Sequence, residues 1–178
     1  MLLKRLRYRF NQFITAFRAN ISYSDVEFIR HYLTKAEQVL FYKMRRYDQK
    51  HALQVAHKCL LKCDSNTWID RSNLVRVALL HDIGKSIMPL SLISRILYVL
   101  TKKINEGRLV KFFAKEKSFI PLFRQFYVLN NHSDIGAELI GEIENNPELI
   151  EIIRNHHNKP TPNESQLLPV IREIDRIS

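Results

Sequence analysis

The sequence predicts an all-α protein, a single helical bundle with an extra basic amphipathic helix at its N-terminus. Glycine is scarce, 4 of 178 residues, so the chain has few of the turn residues that strand-rich folds need. Its apolar residues recur at three- and four-residue spacing and nowhere alternate, which is the period of a helix. Helix-start signals recur along it, among them a Thr34…Glu37 capping box and the prolines at 121 and 147. A hydrophobic content of 46% with 26% charged residues suits one ordinary globular core at this length. There is no internal repeat. Residues 1–47 read as an N-terminal helical extension and residues 48–178 as the domain proper.

Taken in chain order, Leu3, Leu6, Phe10, Phe13, Ile14 and Phe17 follow helical spacing among Lys4, Arg5, Arg7, Arg9 and Arg18, ahead of the first acid, Asp25. Thr34 to Glu37 opens a helix through Val39, Leu40, Phe41 and Met44, whose basic end, Lys43 to Arg46, suits a C-terminus. Asp48 is expected to cap a helix that carries His51 in its first turn and buries Val55, Ala56, Cys59 and Leu60. Asp70 is expected to cap the next, in which Leu74, Val77, Ala78 and Leu80 lead into His81-Asp82, with Gly84 as its stop. An apolar helix follows Pro89 to about Leu100, and a basic connector runs over 102–117. Pro121 restarts a helix toward Leu129, and His132 opens another that reaches about Ile143. Pro147 starts a helix that delivers His156-His157. The prolines at 160 and 162 mark a loop, and a final helix from about Ser165 carries Asp175.

The formal net charge is +10, and much of it lies in the first helix. The reading favoured is a helix that packs on the domain with its charges in water. A peripheral membrane contact through this helix is the minor reading, and nucleic acid is disfavoured as a partner. No continuous apolar run or small-residue cleavage site follows these charges, so they do not form a secretory signal. Leu90 to Leu100 is about half of the roughly 20 apolar residues that a membrane span requires, and Arg95 interrupts it. Cys59 and Cys63 read as core filling, with no disulfide framework, and a cytoplasmic protein is expected.

Five of the seven histidines stand with aspartates at helix ends: His51, His81-Asp82, His132, His156-His157 and Asp175. A bundle presents ligands in this way, from several helices to one internal pocket. Imidazole nitrogen with carboxylate oxygen suits the borderline divalent ions Mn, Fe, Co, Ni or Zn, whereas Ca or Mg would want mainly oxygen. Seven ligands exceed what one open site can use, so two ions sharing a carboxylate are expected. Such a centre activates water to hydroxide at neutral pH and stabilises a phosphoryl oxygen, and phosphoester hydrolysis is the reaction that follows. His31, His57 and Glu138 read as surface or structural. His157 has a second reading, as the partner of a ligand and not a ligand itself.

The order His51, then His81-Asp82 in HDIGK, then Asp175 in IDRIS resembles the HD superfamily of metal-dependent phosphohydrolases over about residues 48–178. With His132 in HSDIGAEL and the His156-His157 doublet, it resembles the subset with binuclear centres, which includes the HD-GYP phosphodiesterases of cyclic di-GMP. The resemblance implies that His51, His81, Asp82 and Asp175 hold a first ion, that Asp82 bridges, and that His132, His156 and His157 hold a second. Lys85 matches a lysine that meets a substrate phosphate. The Gly-Tyr-Pro signature is missing, since the doublet continues as Asn158-Lys159-Pro160-Thr161-Pro162. The substrate therefore stays open among phosphorylated nucleotides, cyclic or linear, and the positive field of the chain favours an anion. The alternative is a metal-containing module that senses a nucleotide or docks on a partner without turnover.

Overall fold

The computed structural model describes residues 20–63, 70–104 and 108–178, and the basic amphipathic helix expected before residue 20 lies outside them. Among the described residues there are nine α-helices, one 3₁₀ segment and no strand, the all-α architecture that the apolar period predicts. In chain order they are α1 (Tyr23–Tyr32), α2 (Lys35–Lys43), α3 (Arg46–Cys63), α4 (Arg71–Leu80), the 3₁₀ segment (Ile83–Ile87), α5 (Leu92–Ile104), α6 (Arg108–Phe113), α7 (Pro121–Ile143), α8 (Pro147–Asn155) and α9 (Leu167–Ile177).

The centre of the bundle is α4. From Leu74 to Leu80 every residue but Arg76 is buried, because α1, α2, α3, α8 and α9 all pack on it. An element covered on all sides reads as apolar all round. Asp70 caps it by accepting from the backbone N–H groups of Ser72 and Asn73. Arg76 remains satisfied by Glu37, 2.9 Å from its Nε, and by Glu144. Glu37 has no exposed surface and also closes the capping box with Thr34, so one carboxylate joins α2 to α4. Ile29, Leu33, Leu40, Phe41 and Met44 belong to the same buried cluster as Leu74 to Leu80, Ile152 and Ile171. Cys59 and Cys63 lie in that cluster as free thiols.

Three local expectations are corrected. Asp48 does not cap α3, which begins at Arg46. Its carboxylate is buried and takes the Nη2 of Arg95 at 2.6 Å, because a buried charge needs a fixed partner more than a helix end needs a cap. Gly84 is not a helix stop. The α4 turn ends at Leu80, and Gly84 lies inside the 3₁₀ segment against α7, where a Cβ would meet the His132 carbonyl oxygen at 2.0 Å. Third, α7 is one helix of 23 residues and does not restart at His132. Asn130 and Asn131 lower helix propensity without breaking the helix, and Asn131 turns its amide back onto the Tyr127 carbonyl at 2.8 Å.

Candidate metal centre

Five parts of the fold deliver the candidate ligands. His51 comes from the second turn of α3, His81 and Asp82 from the turn between α4 and the 3₁₀ segment, and His132 from mid-α7. His156 and His157 follow the end of α8, and Asp175 comes from α9. All seven converge. Asp82, 2% exposed, lies at the middle with its two oxygens turned to different neighbours. Oδ2 faces His81 Nε2 at 3.6 Å and His51 Nε2 at 3.9 Å. Oδ1 faces His132 Nε2 at 3.2 Å and His156 Nε2 at 4.0 Å. Two groups able to hold a cation result, His51-His81-Asp82 and Asp82-His132-His156-His157, and they share Asp82. Asp175 borders the first: its Oδ1 is 2.8 Å from His51 Nε2 and 3.6 Å from His81 Nε2.

The backbone fixes which nitrogen of each ring faces inward. Nδ1 of His81 donates to the Ala78 carbonyl at 2.8 Å, that of His132 to Leu129 at 3.0 Å, and that of His156 to Ile153 at 2.6 Å. All three bonds return three residues along the chain. A proton held on Nδ1 leaves the Nε2 lone pair of a neutral ring pointing at the centre, which is how ligand histidines are oriented.

A cation fits this cluster on the structure's own terms. His81 Nε2, His156 Nε2 and Asp82 Oδ1 are buried and make no hydrogen bond. Each such group costs about 1–3 kcal/mol when left unpaired, and a metal ion gives all three a partner. His132 Nε2 also stands 3.0 Å from His157 Nε2, a separation that two lone pairs reach only with a proton or a cation between them. The donor set is nitrogen-rich with carboxylate, which suits a borderline divalent ion.

Electrostatics leads to the same conclusion. Burial alone would lower His81, but Asp82 and Asp175 outweigh it and raise the ring to about 9. A metal-free centre therefore recruits a proton where a cation would sit. Burial acts to raise Asp82, yet Lys85, His81 and His132 hold its carboxyl well below the usual range. Asp175 is lowered likewise, against burial, by His51 and His81. Burial pushes His132 down, with Lys85 adding to it, and pushes His156 well down, with the neighbouring rings adding to it. His157 is exposed as a residue, but its inward edge is dry, and that loss of water together with His132 lowers it to about 4.

Lys85, from the 3₁₀ segment, places Nζ 2.5 Å from Asp82 Oδ2. His31 and His57 are exposed and outside the centre, His57 against the Phe28 ring at 4.4 Å. Glu138 is also exposed. Two further residues, one beside the centre and one supporting the turn that carries the doublet, were not legible as site residues. Tyr47 precedes His51 by one helical turn. Burial, together with the Asp48, Asp82 and Asp175 charges and against Arg95, pushes its hydroxyl up to about 12. Arg172, one turn before Asp175, donates from Nη2 to the Asn155 carbonyl at 3.0 Å and from Nη1 to both Glu164 oxygens. It thereby holds the end of α8 that carries the doublet. The i,i+4 spacing of Tyr47 to His51 and the i,i+3 spacing of Arg172 to Asp175 were the available signals.

No curated protein and no solved structure matches this chain significantly. The HD domain pattern matches residues 49–178, the stretch that contains every ligand described above. With its all-α architecture and its paired His/Asp groups, the chain belongs to the HD domain family, a superfamily of metal-dependent phosphohydrolases.

Proposed function

We propose that this protein hydrolyses a phosphoester of a nucleotide, cyclic dinucleotide or dinucleotide at a binuclear centre. The observation that carries the reading is the division of Asp82: one oxygen turned to His51 and His81, the other to His132 and His156. His51, His81, Asp82 and Asp175 would hold one divalent ion, and Asp82, His132, His156 and His157 the other. Bound ions of this kind lower the pKa of water enough to supply a nucleophile at neutral pH and offset charge on phosphoryl oxygens.

The chain's own groups do the rest. Three backbone carbonyls keep the Nδ1 protons of His81, His132 and His156 in place, so the rings need no reorientation to meet a cation or substrate. Lys85 neutralises Asp82 in the metal-free protein. With divalent ions held by the ligands, the Lys85 ammonium would be available to meet a non-bridging phosphoryl oxygen. The proton for the leaving oxygen comes from water or from an imidazole of the cluster, of which His157 is exposed.

The test is elemental analysis of metal per chain, with a phosphomonoester and phosphodiester screen in added Mn on the same preparation. Two ions per chain with turnover is the expected result. One ion per chain would reduce the doublet and His132 to supporting roles. Metal and stoichiometric nucleotide binding without product would establish the sensing module in place of the enzyme.

A further inference from the structure

Helix α5 is turned inside out. Ser94 is fully buried, and Tyr98 and Thr101 are half-buried on the same side, at the i, i+4, i+7 spacing of one face. The adjoining face carries Ile93, Ile96, Leu97 and Leu100, at i, i+3, i+4 and i+7, and all four are exposed, Ile93 by 68%. A helix that only covers a core turns its apolar stripe inward and its small polar residues out. Downstream, Phe112 and Phe119 add exposed aromatic surface. Contiguous apolar surface of this kind marks a site of contact.

The same stretch is basic. Lys102, Lys103, Arg108, Lys111, Lys115 and Lys117 are all exposed, against Glu106 and Glu116 in the sequence. Among the described residues none of the six joins an ion pair. Lys102 and Lys115 instead lie over the rings of Tyr98 and Phe112, at 5.6 and 5.3 Å. Arg95 is committed to Asp48 and does not contribute.

An occupant must therefore be apolar along the stripe and anionic around it. A second copy would set one group of cations against another. The chain's first 18 residues offer apolar side chains but carry five cations and no acid, so they are repelled. A nucleic acid supplies charge and leaves the stripe wet. A bilayer with anionic lipid supplies both in one plane: acyl chains for the stripe and headgroups for the lysines. Among the described residues no single helix is long and apolar enough to cross a membrane, so α5 would lie in the interface. We propose that the outward face of α5, with the basic stretch through Lys117, docks this domain on an anionic lipid surface. This does not depend on phosphohydrolysis, and a catalytically silent variant would dock equally.

The test is flotation of the full chain with phosphatidylcholine vesicles, with and without about 30% phosphatidylserine, at two salt concentrations. Binding to the anionic vesicles alone, weakened by salt, is expected. The triple variant Ile93→Ser, Leu97→Ser, Leu100→Ser should lose it with metal content and helicity unchanged, because these side chains are exposed and lie outside the buried core. The Lys102→Gln, Lys103→Gln variant, which leaves the stripe intact, should weaken it roughly 25-fold, about five-fold per lysine. Absence of binding to either vesicle would overturn the proposal, as would full binding by the triple variant, which would assign the contact to another segment. Concentration-dependent dimerisation abolished by the same three serines would overturn it in favour of a second copy.

Discussion

Gly84 lies so close to the His132 backbone that a Cβ built on it would stand 2.0 Å from the His132 carbonyl oxygen and 2.7 Å from the Gly136 nitrogen. The segment that carries His81, Asp82 and Lys85 is thereby laid directly on the helix that carries His132. The glycine of HDIGK sets the distance between the two halves of the centre, and its requirement is for space, since both obstructing groups are backbone.

Gly84→Ala should destabilise the protein by about 3 kcal/mol or more, because neither wall can retreat as a side chain would. It should also lower metal retention in the fraction that folds, by widening the gap between Asp82 and His132. Gly141→Ala is the control. Its Cβ would meet only Ile150 Cδ1, at an ordinary 3.7 Å, so it should raise stability by about 0.5–1 kcal/mol. Chemical denaturation of both variants checks this, and equal stability of Gly84→Ala and wild type would refute the spacing role.

Asp82→Ala should lose both ions and all turnover, because it removes the one carboxylate that both groups share. Lys85→Ala should keep the metal and lower kcat by roughly 10–100-fold, the loss of one charge-assisted contact of about 1.5–3 kcal/mol to a phosphoryl oxygen. Elemental analysis beside steady-state kinetics separates the two. Wild-type turnover in Asp82→Ala, with bound metal unchanged, would show that the centre is misassigned.

Arg172→Ala should act through the doublet. The side chain ties Asn155 to Glu164, so its loss frees the turn that presents His156 and His157, and metal at the His132 side should fall before metal at the His51 side. Arg172→Lys restores charge without the planar fork and should rescue little. Titration of metal against each variant, read as one tight and one weakened site, is the measurement. Equal weakening of both sites would mean a general loss of stability.

The metal-free protein should be most stable near pH 6.5. His132 and His156 are held below their ordinary value of 6.5, and His157 at about 4. As pH falls below 6.5 the unfolded chain binds protons that these rings refuse, and stability drops. His81 works in the opposite sense. Raised to about 9, it contributes stability that is fully present below 6.5 and is lost as pH climbs through 9. Denaturant midpoints across pH 5 to 9 in chelator should trace this maximum, and a midpoint that still rises at pH 9 would contradict it. Metal binding should release a proton from His81 over the same range, so affinity rises with pH.

What the sequence determined by itself is local or chemical. Helix starts at Thr34 and Asp70 were legible because a cap acts on N–H groups two or three residues away, and those at Pro121 and Pro147 because a proline in the first turn forfeits no helical hydrogen bond. The ligand set was legible because so many imidazoles and carboxylates beside apolar helical stretches have few other uses together, although His132 proved to lie in mid-helix and not at a helix end. Tertiary structure decided the rest. His51 meets Asp175 across 124 residues, and no spacing rule reports which oxygen of Asp82 faces which ring. Asp48 became the partner of Arg95, and Gly84 a spacer, because each answers to a neighbour brought by another helix. Whether the stripe of α5 points inward or outward is decided the same way. Periodicity shows that a helix has an apolar face, but only the packing of the other helices decides whether that face is buried.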